Sequence, residues 1–244
     1  MSRNLVFVVL LILLTQKLSA TEHRILFNLK FGIFKGGEAE MVMTDTVFNG
    51  KPAIHYHVLG KTTGLADKLY GVYDIYETTV DAQTYLPLKT IRNVNEGGYT
   101  RYNETLYFHE KDSIYSQRSG GQKVVNNLVD IVSVFFYFIH NHGIDSMTPG
   151  DGVTYPTYHA DKISDITIRF LREEKVETDI GKIDCYVLNP TVRKGKVLER
   201  SDGIRFYMSK EKKLPVLITF EMRVGALKAV IKSYTIDGVE QATK

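Results

Sequence analysis

The sequence predicts a mainly β protein: one large, strongly curved antiparallel sheet, or an open or half barrel, of about a dozen strands, with one main α-helix packed on its concave side. Short runs of alternating apolar and polar residues recur along the chain and are separated by turn signals. One apolar segment near residue 130 breaks this alternation. Fifteen tyrosines and twelve phenylalanines, with no tryptophan, are typical of a sheet-rich interior.

The strand predictions follow from these runs and turns. Ala39, Met41 and Met43 alternate with glutamate and threonine, which places one strand face on a core and the other in water. Asn49-Gly50 predicts a type I′ hairpin, and Lys35-Gly36-Gly37 predicts an earlier turn. The predicted extended runs are Arg24–Phe34, Glu38–Phe48, Pro52–Lys61, Val72–Val80, Pro87–Val94, Tyr99–Phe108, Ser113–Gln117, Val153–Tyr158, Ile163–Glu177, Lys182–Leu188, Val192–Leu198, Ile204–Ser209, Val216–Arg223 and Leu227–Ile236. Because short links join most of them, antiparallel meanders are favoured, and so many strands must curl or close.

The main helix is predicted over residues 127–142, and a shorter one over 65–70. Asn127 is expected to cap the main helix, with Asp130 in its first turn and Gly143 ending it. The segment is nearly continuous in apolar residues and too short to cross a membrane, so we expect burial inside the sheet. Its polar residues recur along one helical face. The predicted pocket residues on this helix are Asp130, Ser133, Phe136, Tyr137 and His140.

The N-terminus predicts export. Arg3 precedes a ten-residue apolar run from Leu5 to Leu14, and Leu18-Ser19-Ala20 is a candidate cleavage site. We therefore expect a signal peptide at residues 1–20 and one domain over 21–244. Thr21 stands where a lipoprotein signal needs cysteine, so the mature chain is expected to be soluble, without a transmembrane segment, and periplasmic or extracellular.

Charge and cysteine content limit which partners and cross-links we expect for this protein. The net charge is +3, and loss of the leader's Arg3 and Lys17 lowers it to about +1, which gives no reason to expect nucleic acid. Cys185 is the single cysteine, so no internal disulfide can form. Its alternation with apolar neighbours predicts a buried, inert thiol.

Catalytic and metal chemistry find little support in the sequence. Ser133 and His140 lie about 10 Å apart along a helix, too far to pair, and no nucleophile-elbow motif is present. His55 and His57 share a strand face as two weak metal-ligand candidates, but no motif supplies the remaining ligands. We predict no cofactor, and more readily a binding protein than an enzyme.

An ordered series of short motifs resembles a known family. The motifs are Lys35-Gly36-Gly37, Asp74 with Asp81 and Pro87, Asp130-Ile131-Val132-Ser133, Pro149-Gly150-Asp151, Tyr207-Met208-Ser209 and Leu214-Pro215-Val216. Together they are similar to the exported bacterial family called domain of unknown function 3108. The resemblance implies an envelope-facing β protein and transfers no catalytic residues.

The function expected from this architecture is non-enzymatic binding of an apolar or lipid-like ligand in the concavity of the sheet, within the cell envelope. One alternative is a structural or protein-interaction module whose helix fills the concavity and whose partner is another envelope protein. A hydrolase is a more distant alternative. An open apolar space between helix and sheet favours the carrier, and a filled one favours the module.

Overall fold

The computed structural model describes residues 20–191, 202–222 and 225–241. These residues form sixteen strands and two α-helices. The strands are β1 (Glu22–Phe31), β2 (Phe34–Phe48), β3 (Lys51–Thr62), β4 (Tyr73–Asp81), β5 (Pro87–Glu96), β6 (Tyr99–Phe108), β7 (Ser113–Ser116), β8 (Gly120–Lys123), β9 (Val129–Asp130), β10 (Gly152–His159), β11 (Lys162–Thr178), β12 (Gly181–Thr191), β13 (Ile204–Ser209), β14 (Pro215–Glu221), β15 (Ala226–Ile236) and β16 (Val239–Glu240); the helices are α1 (Gly64–Leu69) and α2 (Ser133–His142).

All strands belong to one sheet, which confirms the predicted fold class. Its order is β8-β7-β6-β5-β4-β3-β2-β1-β15-β14-β13-β12-β11-β10-β9, with β16 beside β15. Every pairing is antiparallel except that of β9 with β10. The structure has sixteen strands where the sequence predicts about a dozen. Strands β8, β9 and β16 have only two to four residues each, which is too short to show an alternating pattern in the sequence. In the described part of the chain, neither helix has the length and apolarity needed to span a bilayer.

The two ends of the sheet meet, so the sheet curls into a barrel-like shape. The Thr78 hydroxyl on β4 donates to the Asp130 carboxylate on β9 at 2.8 Å. In the β10–β11 turn, the Asp161 carboxylate accepts hydrogen bonds from Asn103 on β6 and Ser116 on β7. These contacts join strands from opposite ends of the sheet order, which a flat sheet cannot do.

The inner face changes from apolar to polar across the sheet. Met43 on β2 pairs with Tyr56 on β3, and Tyr56 pairs with Thr78 on β4. The same cross-strand row continues through hydroxyl side chains: Thr90, Thr105 and Ser116. Because Thr78, Thr105 and Ser116 are fully buried, this side of the interior is held by hydrogen bonds as well as by apolar packing.

Two hairpins show how local signals compare with long-range contacts. Asn49 and Gly50 both have positive φ, 49° and 80°, as the predicted turn requires. The turn predicted at Lys35-Gly36-Gly37 is wrong, because the chain reverses at Gly32, which has φ 58°. Gly36 and Gly37 lie inside β2, where the pairing register with β1 shifts as in a β-bulge.

The main helix begins later than predicted. Asn127 does not cap it but has φ 55°, and Val129–Asp130 forms β9, in parallel pairing with Thr157 and Tyr158. The helix runs from Ser133 to His142 and ends, as predicted, at Gly143 with φ 50°. Asp130 therefore precedes the helix instead of lying in its first turn.

Helix α2 packs inside the sheet and bridges two hydrophobic clusters. Phe136 joins the cluster that spans β1–β4 and β11–β15 and includes Ile25 and Tyr56. Phe135 and Phe138 join the cluster of β10–β13. The fully buried Cys185 belongs to the first cluster, as its alternation predicts. The leader at residues 1–19 and the predicted strand Val192–Leu198 lie outside the described residues.

Candidate functional site

An open cavity of about 370 Å³ lies beside helix α2, at the end of the barrel where β1 and β5 begin. Its walls come from β1, β2, β3 and β15, from the helix, and from the turns β4–β5 and β13–β14. The lining residues are Thr21, His23, Met43, Asp45, Ile54, Tyr56, Tyr85, Phe136, Ile139, His140, Lys212, Lys213, Leu214 and Tyr234. We call this space the helix cavity.

The inner part of the helix cavity is aromatic and apolar. The Tyr56 ring stacks on Phe136, with centroids 4.4 Å apart and planes 17° apart. Tyr56 is only 2% exposed, and its hydroxyl has no hydrogen-bond partner among the described residues. Burial raises the pKa of the Tyr56 hydroxyl, so it stays protonated at neutral pH. The hydroxyl is therefore a free donor at the inner end of an apolar space.

A strained turn covers the outer side of the helix. Tyr85 has φ 58°, which is unusual for an aromatic residue. The Asp81 carboxylate holds this turn by accepting hydrogen bonds from the backbone N–H groups of Gln83 and Thr84, at 3.0 and 2.9 Å. The turn thereby places the Tyr85 ring on His140, with centroids 4.1 Å apart. Local strain that positions a side chain over a cavity is a feature found at binding sites.

The rim of the helix cavity is polar and carries both signs of charge, from Lys212, Lys213 and Asp45. His23 Nδ1 and the Tyr234 hydroxyl are hydrogen-bonded at 2.7 Å. Lys213 is held by Asp145 at 2.7 Å and lies over the Tyr186 ring. Lys212 contacts only the adjacent Glu211. An apolar interior below a charged rim suits a molecule with an apolar body and a polar head.

Asp130 and Ser133 together hold the start of the helix. Asp130 Oδ2 accepts the Ser133 hydroxyl at 2.5 Å, and Oδ1 accepts the Val132 N–H at 2.8 Å. Burial raises the pKa of Asp130, against the lowering effect of these hydrogen bonds. Because both hydrogen bonds of the Ser133 hydroxyl go to Asp130, and Asp130 also accepts the Val132 N–H, the pair holds the backbone at the start of the helix.

The predicted pocket residues separate into three locations. Phe136 and His140 line the helix cavity. Asp130 borders a small polar crevice of about 40 Å³ between β4–β6 and the β10–β11 turn, and Ser133 is buried behind it. Tyr137 faces away from the cavity and packs edge-on against Tyr155, with centroids 5.4 Å apart.

Sequence reasoning missed the residues that reach the helix cavity from distant strands. Tyr56 and Tyr234 carried only the general signal of aromatic residues in alternating strands. Tyr85 lies in the turn after a predicted strand. The positive φ that directs its ring toward the helix has no counterpart in the sequence, because an aromatic residue does not signal this backbone conformation. Lys212 and Lys213 lie in a short charged run that gives no sequence signal of a cavity, and the structure places them at the rim.

The two weak metal-ligand candidates lie on β3. His55 Nε2 is 3.2 Å from the Glu77 carboxylate, and Nδ1 is 3.1 Å from the Thr79 hydroxyl. Both ring nitrogens of His55 therefore have protein partners. In residues 20–191, 202–222 and 225–241, no group of three or more His, Cys, Asp or Glu is arranged to hold a metal ion.

These features define a barrel-like antiparallel β protein with a helix inside its single sheet and an open apolar cavity at one end. The chain belongs to the family described as "Protein of unknown function (DUF3108)", whose profile matches residues 26–232. The comparison with curated proteins finds no match.

Solved structures support the fold. The chain is similar to a beta-barrel-like protein of domain of unknown function DUF1849 from Brucella abortus, with TM-score 0.57, 10% identity, and coverage of 88% of this chain and 98% of that one. It is also matched to a protein of the duf1089 family from Pseudomonas aeruginosa, with TM-score 0.34, 11% identity, and coverage of 77% and 86%. At these identities the first match supports the architecture alone.

Proposed function

We propose that this protein binds an amphipathic, lipid-like molecule in the helix cavity and carries out no reaction on it. The carrying observation is the open space of about 370 Å³ between the helix and the sheet, with an apolar interior and a charged rim. This volume lies within the usual range of ligand pockets, roughly 300–1,000 Å³. An open space beside the helix supports a carrier over a module whose helix fills the concavity.

The lining indicates how the ligand would lie. Its apolar chain would run past Ile54 and Ile139 toward the stacked rings of Tyr56 and Phe136. Its head would stay near Lys212, whose ammonium contacts only an exposed neighbouring glutamate. A carboxylate or phosphate head would pair there with the Lys212 ammonium.

The predicted leader supports an envelope location for this activity. An exported protein meets lipids and amphiphiles on the outer side of the cytoplasmic membrane, where a shielded apolar cavity would serve transport or storage. Family membership and the barrel-like fold are compatible with such a binding module.

The first test is native mass spectrometry, with lipid extraction, of protein purified from its own host. A co-purifying amphiphile is the expected result. Displacement of a fluorescent fatty-acid analogue by unlabelled fatty acid, with the fatty alcohol of equal chain length as comparison, then measures the head preference. An empty protein mass together with no binding of the analogue would refute the proposal.

A matched pair of substitutions tests whether the ligand binds in the helix cavity. Ile54→Trp should fill the helix cavity and weaken binding of the analogue by roughly tenfold or more. Ile163→Trp makes the same change on β11, outside the helix cavity, and should leave the affinity unchanged. Equal affinities in both variants, with thermal stabilities close to wild type, would exclude this cavity as the site.

A further inference from the structure

The opposite end of the barrel exposes a concentrated apolar surface. The four most exposed large hydrophobic side chains in the described chain are Ile33 at 90%, Leu69 at 78%, and Phe34 and Leu65 at 72% each. Ile33 and Phe34 form the tip of the β1–β2 hairpin, and Leu65 and Leu69 lie four residues apart on one face of α1. We call these four residues the apolar end.

Backbone contacts fix helix α1 beside the hairpin. The Thr63 N–H donates to the Gly36 carbonyl at 2.9 Å, and a Cβ placed on Gly36 would lie 3.7 Å from the Ala66 Cβ. Immediately after α1, the Tyr70 ring packs so closely on Gly97 that no larger residue fits there. The apolar end is thus a preformed surface built from two elements.

Tyrosines surround this surface. Tyr70 follows α1, Tyr73 begins β4 and Tyr99 begins β6, and all three are about half-exposed. Tyrosine has an apolar ring and a polar hydroxyl, so it is favoured at the head-group level of a bilayer.

Lysine side chains border the apolar end. Five lysines lie on the hairpin, at the end of β3, on α1 and at the start of β15: Lys30, Lys35, Lys61, Lys68 and Lys228. Three carboxylates face them: Glu38, Asp67 and Asp179. Lys68 and Lys228 have no ion-pair partner among the described residues, and the carboxylates of Asp74 and Glu96 lie beside Tyr73 and Tyr99. Such a surface attracts anionic lipid.

We propose that the apolar end docks on a bilayer that contains anionic phospholipid. Ile33, Phe34, Leu65 and Leu69 would enter the boundary between head groups and acyl chains, with the tyrosines at head-group level. Four protruding side chains on a hairpin tip and a short helix suit shallow insertion into a bilayer better than a flat protein interface. The unpaired lysines at the border favour anionic lipid over a second copy of the chain, which would carry the same lysines.

Vesicle flotation of the mature chain, residues 21–244, tests this proposal. The probes are vesicles of phosphatidylethanolamine with phosphatidylglycerol, compared with phosphatidylcholine alone. The variant Ile33→Ser with Leu69→Ser removes apolar surface from the docking end, and the matched control is Val47→Ser with Val239→Ser, whose side chains are 68% and 65% exposed elsewhere. Residues 1–20 are absent from every variant, because the apolar leader would by itself hold any of them to vesicles.

We expect wild type and control to float with the anionic vesicles and the docking variant to lose roughly tenfold or more of the bound fraction. High salt or phosphatidylcholine should also weaken binding. Equal flotation of both variants, or no flotation of wild type, would overturn the proposal. A wild-type dimer that the docking variant converts to monomer would overturn it as well, by assigning the surface to a second copy. Fatty-acid binding by the docking variant should persist, which separates this proposal from the proposed function.

Discussion

Replacing Asp161 by Asn should weaken the contact that closes the barrel. Asp161 Oδ1 accepts hydrogen bonds from Asn103 Nδ2 at 3.1 Å, the Ser116 hydroxyl at 3.0 Å and the Tyr158 hydroxyl at 3.1 Å. The Arg101 guanidinium lies 3.6 Å from the other carboxylate oxygen. Asp161 has φ 62°, a conformation that Asn tolerates well, so the substitution removes the charge without adding backbone strain.

The size of the effect follows from these contacts. A hydrogen bond to a charged group contributes about 1.5–3 kcal/mol, and a neutral one about 1 kcal/mol. The amide oxygen of Asn retains part of each interaction, and Asn103 and Ser116 still bond each other at 3.0 Å. The Asp161 side chain is also 21% exposed, which weakens its charge interactions by screening. We expect the free energy of unfolding to fall by about 1–3 kcal/mol at neutral pH.

The pH dependence has a definite sign. Burial raises the pKa of Asp161, but hydrogen bonds from Ser116, Tyr158 and Ser119 outweigh it, so the pKa lies below its ordinary value. The unfolded chain therefore takes up the proton first as the pH falls. The stabilisation is complete above about pH 4 and is lost as the pH falls through the folded-state pKa. The difference between wild type and Asp161→Asn should shrink over the same range.

Urea unfolding followed by circular dichroism and tyrosine fluorescence measures the change, since the chain has no tryptophan. Asp165→Asn on the exposed face of β11 is the matched control and should shift stability by less than about 0.5 kcal/mol. Hydrogen exchange should show lost protection in β7 and β8. A stability loss of equal size at pH 7 and pH 3, or no loss at either, would refute the closing role of the carboxylate.

Three further predictions concern the barrel wall. Gly37→Ala should cost about 1–3 kcal/mol of unfolding free energy, because its Cβ would lie 2.4 Å from the Lys61 carbonyl oxygen, whereas Gly60→Ala, with open space around it, should be nearly neutral by urea titration. Burial lowers the pKa of His159 from 6.5 to about 4. Between these values the unfolded chain binds a proton that the folded chain does not, so the free energy of unfolding should fall by up to about 3 kcal/mol from pH 7 to pH 4. His159→Phe should flatten this part of the curve of stability against pH. Burial raises the pKa of the Cys185 thiol to about 12, so a thiol reagent at pH 8 should modify it only after unfolding; rapid labelling of native protein would contradict this.

Turns set by local chemistry were predictable, and turns set by distant contacts were not. Asn49-Gly50 is a hairpin because its own backbone preferences match the turn. The glycines at 36 and 37 give an equally strong local signal, yet they are needed inside β2. Helix α1 lies against Gly36, and the carbonyl of Lys61 approaches Gly37 closely. The need for glycine at these two positions is set by residues about 25 positions away in the chain. A prediction from neighbouring residues alone cannot include such contacts.

The same distinction explains the helix and the candidate site. The apolar run before Ser133 has a helical pattern, but Val129 and Asp130 pair with β10 instead, and sequence periodicity cannot detect a parallel pairing across some 28 residues. Phe136 and His140 could be chosen because they share a helix. Their partners Tyr56 and Tyr85 come from other elements, and only the strand order brings them there.

The two proposals place their partners at opposite ends of the same strands. Strand β1 begins beside the helix cavity, near His23, and ends beside the docking hairpin at Phe31. Its ten residues span about 33 Å at about 3.3 Å per residue. A docked molecule would therefore hold the cavity mouth away from the bilayer, so a ligand would enter from the aqueous side or from another protein. Empty and loaded protein should then bind vesicles with equal affinity, because the cavity contributes no surface to docking. Weaker docking of the loaded protein would instead require a conformational link along the whole length of the barrel.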